Sequence, residues 1–171
     1  HWPYMAPDPY HKMYSKDDIL PPIRCDEEIK TRHSVVDAYA KHEESINFSK
    51  DACRERVIPS YMGLISELDA NMGRLIKFLE NEEKIDDTII VLTSDHGDYL
   101  GDHWLGEKEL FYESARRIPM IIIDPGHEAS PTRGKSIDEF VESIDLIPTF
   151  LEMVGSPHNH DHILEGRSLL P

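Results

Sequence analysis

The pattern of hydrophobic positions predicts one long helix in the middle of the chain. Within residues 57–80, apolar side chains recur at spacings of three and four, the period of an amphipathic helix. The polar run that ends at Lys84 closes this helix. The positions that repeat are Val57, Tyr61, Leu64, Ile65, Leu68, Met72, Leu75, Ile76 and Leu79.

Two continuous apolar runs predict strands after this helix. The first covers residues 88–93, and the second, residues 120–123, follows Pro119. Both runs are continuous rather than alternating, which is typical of strands covered on both faces. A helix, a strand, a loop, a second strand and a further helix give the order of an α/β fold.

The last helix has recognisable start and stop signals. Ser143 or Asp145 could cap a helix that runs through Met153. Pro148 is tolerated in its first turn, and Gly155 is a suitable stop.

The remaining segments are punctuated by turn residues or charge. Residues 1–24 are rich in proline and aromatic residues and predict an irregular segment on a surface. Residues 26–50 are charged with weak periodicity and predict half-exposed helix or loop. Residues 127–135 predict a turn-rich loop. With no internal repeat or low-complexity linker, one domain or part of one is the simplest organisation.

Length and composition agree with a compact domain. The chain has 171 residues, of which 39% are hydrophobic, enough for a buried core. No apolar run approaches the roughly 20 residues of a membrane span, and no signal peptide is visible. Because the chain begins with His1 rather than Met, we expect it to be a piece of a longer protein, which leaves the compartment open.

The charge of the chain excludes two classes of partner. A formal net charge of −15 repels nucleic acid and anionic membranes. An anionic substrate would need a local positive site, which a bound metal and Lys108 could supply. Cys25 and Cys53 lack metal-site spacing, and we expect free thiols, with a single disulfide as the alternative. Nothing in the sequence sets the oligomeric state.

Candidate chemistry lies directly after the first strand. Asp95 and His96 stand side by side where that strand ends, the position at which α/β sheets bind ligands. A carboxylate with an imidazole suits a hard-to-intermediate metal ion. Gly97 permits a backbone conformation that a Cβ would resist. Lys108 is a point charge suited to an anionic oxygen. The alternative is that Asp95 caps a turn while His96 and Lys108 are surface residues.

Other polar clusters are weaker candidates. Asp102 and His103 could add metal ligands, although a solvated loop is the commoner role for such residues. The alternating histidines of residues 156–162 (His158, His160 and His162) could bind metal, and a solvated loop is again the favoured interpretation. No G-x-S-x-G, P-loop or dinucleotide fingerprint is present, and neither cysteine has the context of a nucleophile.

Taken together, these residues resemble the sulfatases of the alkaline phosphatase superfamily. The resemblance rests on the block from Thr88 to His103, with Lys108 and residues 112–119 after it. The Asp-His form also occurs in the phosphonate monoester hydrolases of that superfamily. The resemblance implies part of an α/β sandwich with a mostly parallel central sheet. It continues, in the family's order, through His1–Pro7, Tyr61–Leu79, Ser143–Thr149 and Gly166–Pro171.

The resemblance also implies roles for four residues. Asp95 and His96 would be two ligands of a single divalent ion, with Ca²⁺ expected and Mg²⁺ or Mn²⁺ as alternatives. Lys108 and His1 would be catalytic, contacting the sulfate or phosphonate oxygens and assisting the leaving group. These roles are chemically reasonable because a metal and fixed cations stabilise charge on the transferred group, and an imidazole can donate a proton near neutral pH.

One departure from the family pattern is serious. The family nucleophile, matured to formylglycine, lies in a Cys/Ser-x-Pro-x-Arg motif that this chain lacks. Cys25 precedes Asp-Glu-Glu and Cys53 precedes Arg-Glu-Arg, so neither fits. The family's early metal-binding aspartates are missing too. We therefore expect residues 1–171 to be the C-terminal portion of a sulfatase-type catalytic domain, inactive alone, with the formylglycine and the N-terminal half outside it.

The predicted function is that of a metal-dependent hydrolase cleaving a small-molecule sulfate ester. The alternative in the same superfamily is a phosphonate monoester or phosphodiester hydrolase. A second alternative, from another class, is a non-catalytic domain that binds a metal or a cationic partner.

Overall fold

The computed structural model describes residues 3–156 and 165–170, without the side chain of Glu128. The chain divides into two compact units, His1–Ala129 and Ser130–Pro171. In the part of the chain that is described, no helix combines the length and apolar character needed to cross a membrane.

The predicted long helix is confirmed and begins earlier than its apolar repeat. The helices of the first unit are α1 (Asp26–Thr31), α2 (Ser34–Tyr39), α3 (Glu43–Phe48), α4 (Asp51–Asn81) and α5 (Glu113–Arg116). The charged segment 26–50 is thus mainly three short helices. Apolar periodicity misses the start of α4 because a buried cation anchors it: Arg54 donates to the carbonyls of Leu100 (3.1 Å) and Leu20 (3.2 Å).

The proline-rich first segment packs along one face of α4. Ser60 Oγ donates to the Tyr4 carbonyl at 2.8 Å, and the hydroxyls of Tyr14 and Ser66 are 2.8 Å apart. Between them, Gly63 leaves no room for a side chain, since an added Cβ would lie 2.5 Å from the Tyr10 carbonyl oxygen. Small residues three positions apart on α4 (Ser60, Gly63 and Ser66) therefore let the predicted irregular segment pack closely against the helix.

The strands form an antiparallel pair. β1 (Ile90–Thr93) and β2 (Met120–Ile123) pair so that Ile90 faces Ile123. The expectation that both faces are covered is wrong for β2, where Ile121 and Ile123 are 52% and 46% exposed. The resemblance implies a mostly parallel sheet, but within the described residues the two strands run in opposite directions. The connection between them holds a 3₁₀ turn (Asp102–Trp104) and the four-residue α5, but not a crossover helix, which a parallel pair needs.

The main core of the first unit lies within the connection between the strands, residues 94–119. Tyr99, Leu105, Leu110 and Ala115 form one buried cluster within that connection. The buried Tyr99 hydroxyl accepts a hydrogen bond from the Leu110 amide at 3.0 Å. The long loop after β1 is therefore a packed element rather than a solvated one.

The predicted free thiols and last helix are confirmed, but the predicted side-chain cap from Ser143 or Asp145 is wrong. Cys25 and Cys53 are free thiols. In the second unit, α6 (Leu146–Met153) follows a single 3₁₀ turn, Ser143–Asp145, and Gly155 ends it with φ of +62°. Asp145 is the residue before α6, but its carboxylate bonds elsewhere: the amides of Glu142 and Arg167 each donate to it at 2.9 Å.

We predict that a methyl group at Gly63 destabilises the chain. Gly63→Ala should lower the free energy of unfolding by about 1–3 kcal/mol, because the Tyr10 carbonyl must move away. Gly73→Ala is the matched control, since an added Cβ there has nothing within 4 Å, and it should gain about 1 kcal/mol from helix propensity. Thermal unfolding followed by circular dichroism measures both, and equal stabilisation by the two substitutions would contradict the close packing.

We predict that the second unit loses stability in acid through Asp145. The amides of Glu142 and Arg167 hold the pKa of this carboxyl below its unfolded value, which is about 3.9. A depressed pKa stabilises the fold above the unfolded pKa, and this stabilisation is lost as the pH falls through the folded pKa. The protection factors of the amides of residues 142–154, which are corrected for the intrinsic pH dependence of exchange, should therefore fall as the pH drops below about 4.

The matched pair for this test is Asp145→Asn and Asp138→Asn. Asp145→Asn should remove most of the acid dependence, while the exposed Asp138→Asn should keep it. The same acid dependence in both variants would assign the effect to another carboxyl group.

Candidate functional site

Asp95 and His96 lie immediately after β1, in a tight loop. Ser94 Oγ donates to the His96 carbonyl at 2.7 Å, and the His96 amide donates to Asp95 Oδ1 at 3.0 Å. That amide holds the pKa of the Asp95 carboxyl below its ordinary value. The Asp95 side chain is 84% exposed, so an ionised carboxylate projects from the strand end toward solvent.

Gly97 holds this loop against the start of α5. Its amide donates to the Ala115 carbonyl at 2.8 Å, and an added Cβ would lie 2.0 Å from the Ser114 carbonyl oxygen. The sequence predicts a special backbone conformation at Gly97, but its φ is not among the positive values. The glycine is needed here for the close approach of two backbone segments.

One ring nitrogen of His96 is hydrogen-bonded to the backbone, and the other lies beside the side chains of the candidate site. Nδ1 lies 2.6 Å from the Gly97 carbonyl oxygen, which cannot donate, so Nδ1 carries the proton of the neutral ring. Nε2 then holds a lone pair, 3.3 Å from Asp95 Oδ2. Metal-binding histidines commonly fix their orientation in this way, through a hydrogen bond from the other ring nitrogen.

Lys108 joins the same cluster from the far end of the loop. Its ammonium group donates to His96 Nε2 across 2.8 Å. Three of the four residues singled out in the sequence, Asp95, His96 and Lys108, thus come together. The fourth, His1, lies outside the described residues.

A small cavity opens beside this cluster. Its volume is about 120 Å³, and it is lined by Tyr61 and by residues 94–98. Burial raises the pKa of both Tyr61 and Asp98 above their ordinary values. The wall of the cavity therefore carries a neutral phenol beside a carboxyl group whose ionised form is disfavoured by desolvation.

The weaker candidates from the sequence do not join the site. Asp102 accepts from the Ile23 amide at 2.9 Å and from Ser114 Oγ at 2.8 Å, so both carboxylate oxygens are occupied. His103 stacks on Tyr112 at 4.0 Å and contacts Glu28 at 3.0 Å through Nδ1. Both residues are structural, so the expectation of a solvated loop is wrong. The tract of alternating histidines at 158, 160 and 162 lies outside the described residues.

Sequence reasoning missed three residues at the site. Tyr61 belongs to the apolar repeat that predicts α4, and the repeat gives no sign that it lines the cavity. Tyr4 and Asp98, whose side chains are hydrogen-bonded to each other, lie in segments that resemble the family, but the resemblance gives neither residue a role. The signal available for Asp98 was its place three residues after Asp95 in the same loop.

The described residues do not by themselves form a metal site. Among residues 3–156 and 165–170, no group of three or more His, Cys, Asp or Glu side chains is placed to hold a metal ion. The exposed Asp95 carboxylate and the oriented Nε2 of His96 nevertheless fit two positions of a divalent cation that draws its other ligands from elsewhere.

Comparison with known proteins places the chain in a family. Residues 1–156 match the family model for the sulfatases, so the chain belongs to the sulfatase family. It is 35% identical over 183 residues to the multifunctional alkaline phosphatase superfamily protein PehA of Trinickia caryophylli, covering 100% of this chain and 35% of that protein. It is 32% identical over 162 residues to an arylsulfatase of Clostridium perfringens, covering 89% and 31%.

The solved structures agree with this assignment. The phosphonate monoester hydrolase SpPMH from Silicibacter pomeroyi superposes with a TM-score of 0.87 at 32% identity, covering 99% of this chain and 34% of that one. The α/β, alkaline-phosphatase-like fold implied by the resemblance is therefore confirmed. The chain spans about a third of the length of the relatives it matches.

Proposed function

We propose that this chain contributes part of the active site of a metal-dependent sulfatase-family hydrolase that cleaves small-molecule sulfate esters. The observation that carries the proposal is the cluster in which His96 Nε2 lies 3.3 Å from Asp95 Oδ2 and 2.8 Å from Lys108 Nζ. A carboxylate, an oriented imidazole and a cation converge there beside a cavity. Family membership supports an ester hydrolase at this position.

Asp95 and His96 would hold one divalent cation, with Ca²⁺ expected and Mg²⁺ or Mn²⁺ as alternatives. When bound, such an ion stabilises negative charge on the peripheral oxygens of the transferred group. The contribution of the chain is orientation: Gly97 fixes the imidazole through Nδ1, and the His96 amide holds Asp95 Oδ1 and lowers the pKa of that carboxyl.

Lys108 would hold an oxygen of the substrate. Nε2 of His96 has a single lone pair, so it can either accept from Lys108 or ligate a cation. Ligation would leave the Lys108 ammonium group free to donate to an anionic oxygen from the same position. Its point charge needs no fixed direction of approach, which suits a tetrahedral anion.

His1 and a nucleophile outside residues 1–171 would complete the chemistry. By its resemblance to the family, His1 would contact the substrate and donate a proton to the leaving group. The formylglycine nucleophile and the remaining metal ligands would come from the part of the enzyme that this third of the relatives' length does not cover.

The comparisons favour a second substrate class for the same site. The structural match to a phosphonate monoester hydrolase covers 99% of the chain, and the match to the multifunctional PehA covers 100%. Sulfate monoesters and phosphonate monoesters both present a tetrahedral centre with anionic oxygens. The same metal and lysine would therefore serve either reaction.

We predict that Asp95→Ala and His96→Ala each abolish hydrolysis in the full-length enzyme and lower its metal content. The loss should exceed the ~10- to 100-fold cost typical of outer-shell partners, because these side chains would contact the ion directly. Metal content by mass spectrometry and turnover of an aryl sulfate give two independent readouts. Asp86→Ala and His11→Ala are matched controls at exposed positions and should keep both. Unchanged turnover in either site variant would refute the assignment.

We also predict that one preparation of the full-length enzyme hydrolyses an aryl sulfate and an aryl phosphonate monoester. The ratio of the two kcat/KM values identifies the preferred substrate, and Lys108→Ala should lower both by about 10²- to 10³-fold. Metal binding without turnover of either ester would contradict the proposal that the protein is a hydrolase. It would support the alternative of a non-catalytic metal-binding domain.

A further inference from the structure

Tyr4 is fastened at two points, one on α4 and one on the loop that carries Asp95 and His96. Its carbonyl accepts a hydrogen bond from Ser60 Oγ at 2.8 Å, and its phenol donates to Asp98 Oδ2. Ser60 also accepts from the Ala6 amide at 3.3 Å. One residue of the first segment thus ties the long helix to the candidate site.

The aromatic ring of Tyr4 is held as firmly as its polar ends. It packs edge-on against Phe48, with ring centroids 5.9 Å apart, and against Tyr61 at 6.1 Å. Phe48 is among the most buried side chains of the described residues, and Tyr61 lines the cavity. The ring therefore fixes where the phenol oxygen can lie.

Asp98 is the receiving end of this link and also shapes the loop. Its second oxygen, Oδ1, accepts from the Leu100 amide at 3.0 Å, while Oδ2 accepts from Tyr4. Asp98 lines the cavity together with Asp95 and His96. A displacement of Asp98 would therefore move the loop that presents the two candidate metal ligands.

We propose that the hydrogen bond from Tyr4 to Asp98 is a positioning link that holds the loop of residues 94–98 at a fixed place against α4. Tyr4 would not touch the reacting atoms. It would set the position of Asp95 and His96, and it would hold the backbone of Met5 and Ala6 near the same wall. The effect on turnover rests on the proposed function, whereas the effect on the loop does not.

Hydrogen exchange of the two tyrosine variants tests the link without any substrate. In the full-length protein, Tyr4→Phe removes the donor and keeps the ring, so amides of residues 94–101 should exchange about tenfold faster or more. Tyr14→Phe is the matched control, because it removes a phenol bonded to Ser66 on the same helix. It should leave residues 94–101 unchanged.

Asp98→Ala tests the link from its other end. Without its acceptor Tyr4 should loosen, so the amides of Met5 and Ala6 should exchange faster. Unchanged exchange of residues 94–101 in Tyr4→Phe would overturn the proposal, and so would equal acceleration in Tyr14→Phe. If Tyr4→Phe fails to fold, unchanged exchange at Met5 and Ala6 in Asp98→Ala would overturn it.

Kinetics then separate a positioning role from a general loss of stability. With an aryl sulfate or aryl phosphonate monoester, Tyr4→Phe should lower kcat about 10- to 100-fold while KM stays within about threefold, because the charges remain but are misaligned. Tyr14→Phe should keep the wild-type kcat. A wild-type enzyme that hydrolyses neither ester would refute the proposed function, and the exchange experiment would still decide the link.

Discussion

The close approach of two backbone segments at Gly97 is the constraint on which the candidate site depends. The Gly97 amide reaches the Ala115 carbonyl at 2.8 Å, and a Cβ there would lie 2.0 Å from the backbone oxygen of Ser114. The Gly97 carbonyl in turn receives Nδ1 of His96. One residue without a side chain therefore sets both the path of the loop and the orientation of the imidazole.

The connection that carries the candidate site residues also contains the main core of its unit. Tyr99, Leu105, Leu110 and Ala115 are buried within the connection between β1 and β2. Functional residues on loops need a rigid support, and here much of that support comes from the loop itself. Lys108 comes from the same packed connection, so its distance to His96 depends on the core beneath it.

Much of the fold followed from the sequence because periodicity reports burial. The apolar repeat predicted α4, and the continuous runs predicted both strands. The start of α4 was missed because it depends on the buried Arg54. A hydrogen-bonded cation of this kind adds nothing to the periodicity of apolar residues. The direction of the strands and the exposure of Ile121 could not be read either, since continuous apolar runs do not reveal what covers them in a given segment.

For the site, the sequence by itself determined which residue types stand together: an adjacent Asp95 and His96 at a strand end, with a lysine twelve positions on. Adjacent residues stay adjacent in any fold, so this pair was visible from the chain alone. Only the tertiary structure decided that Lys108 reaches His96 and that Tyr4 reaches Asp98, ninety-four positions away. Such contacts depend on how the buried loop and the long helix pack, and no local pattern encodes that distance.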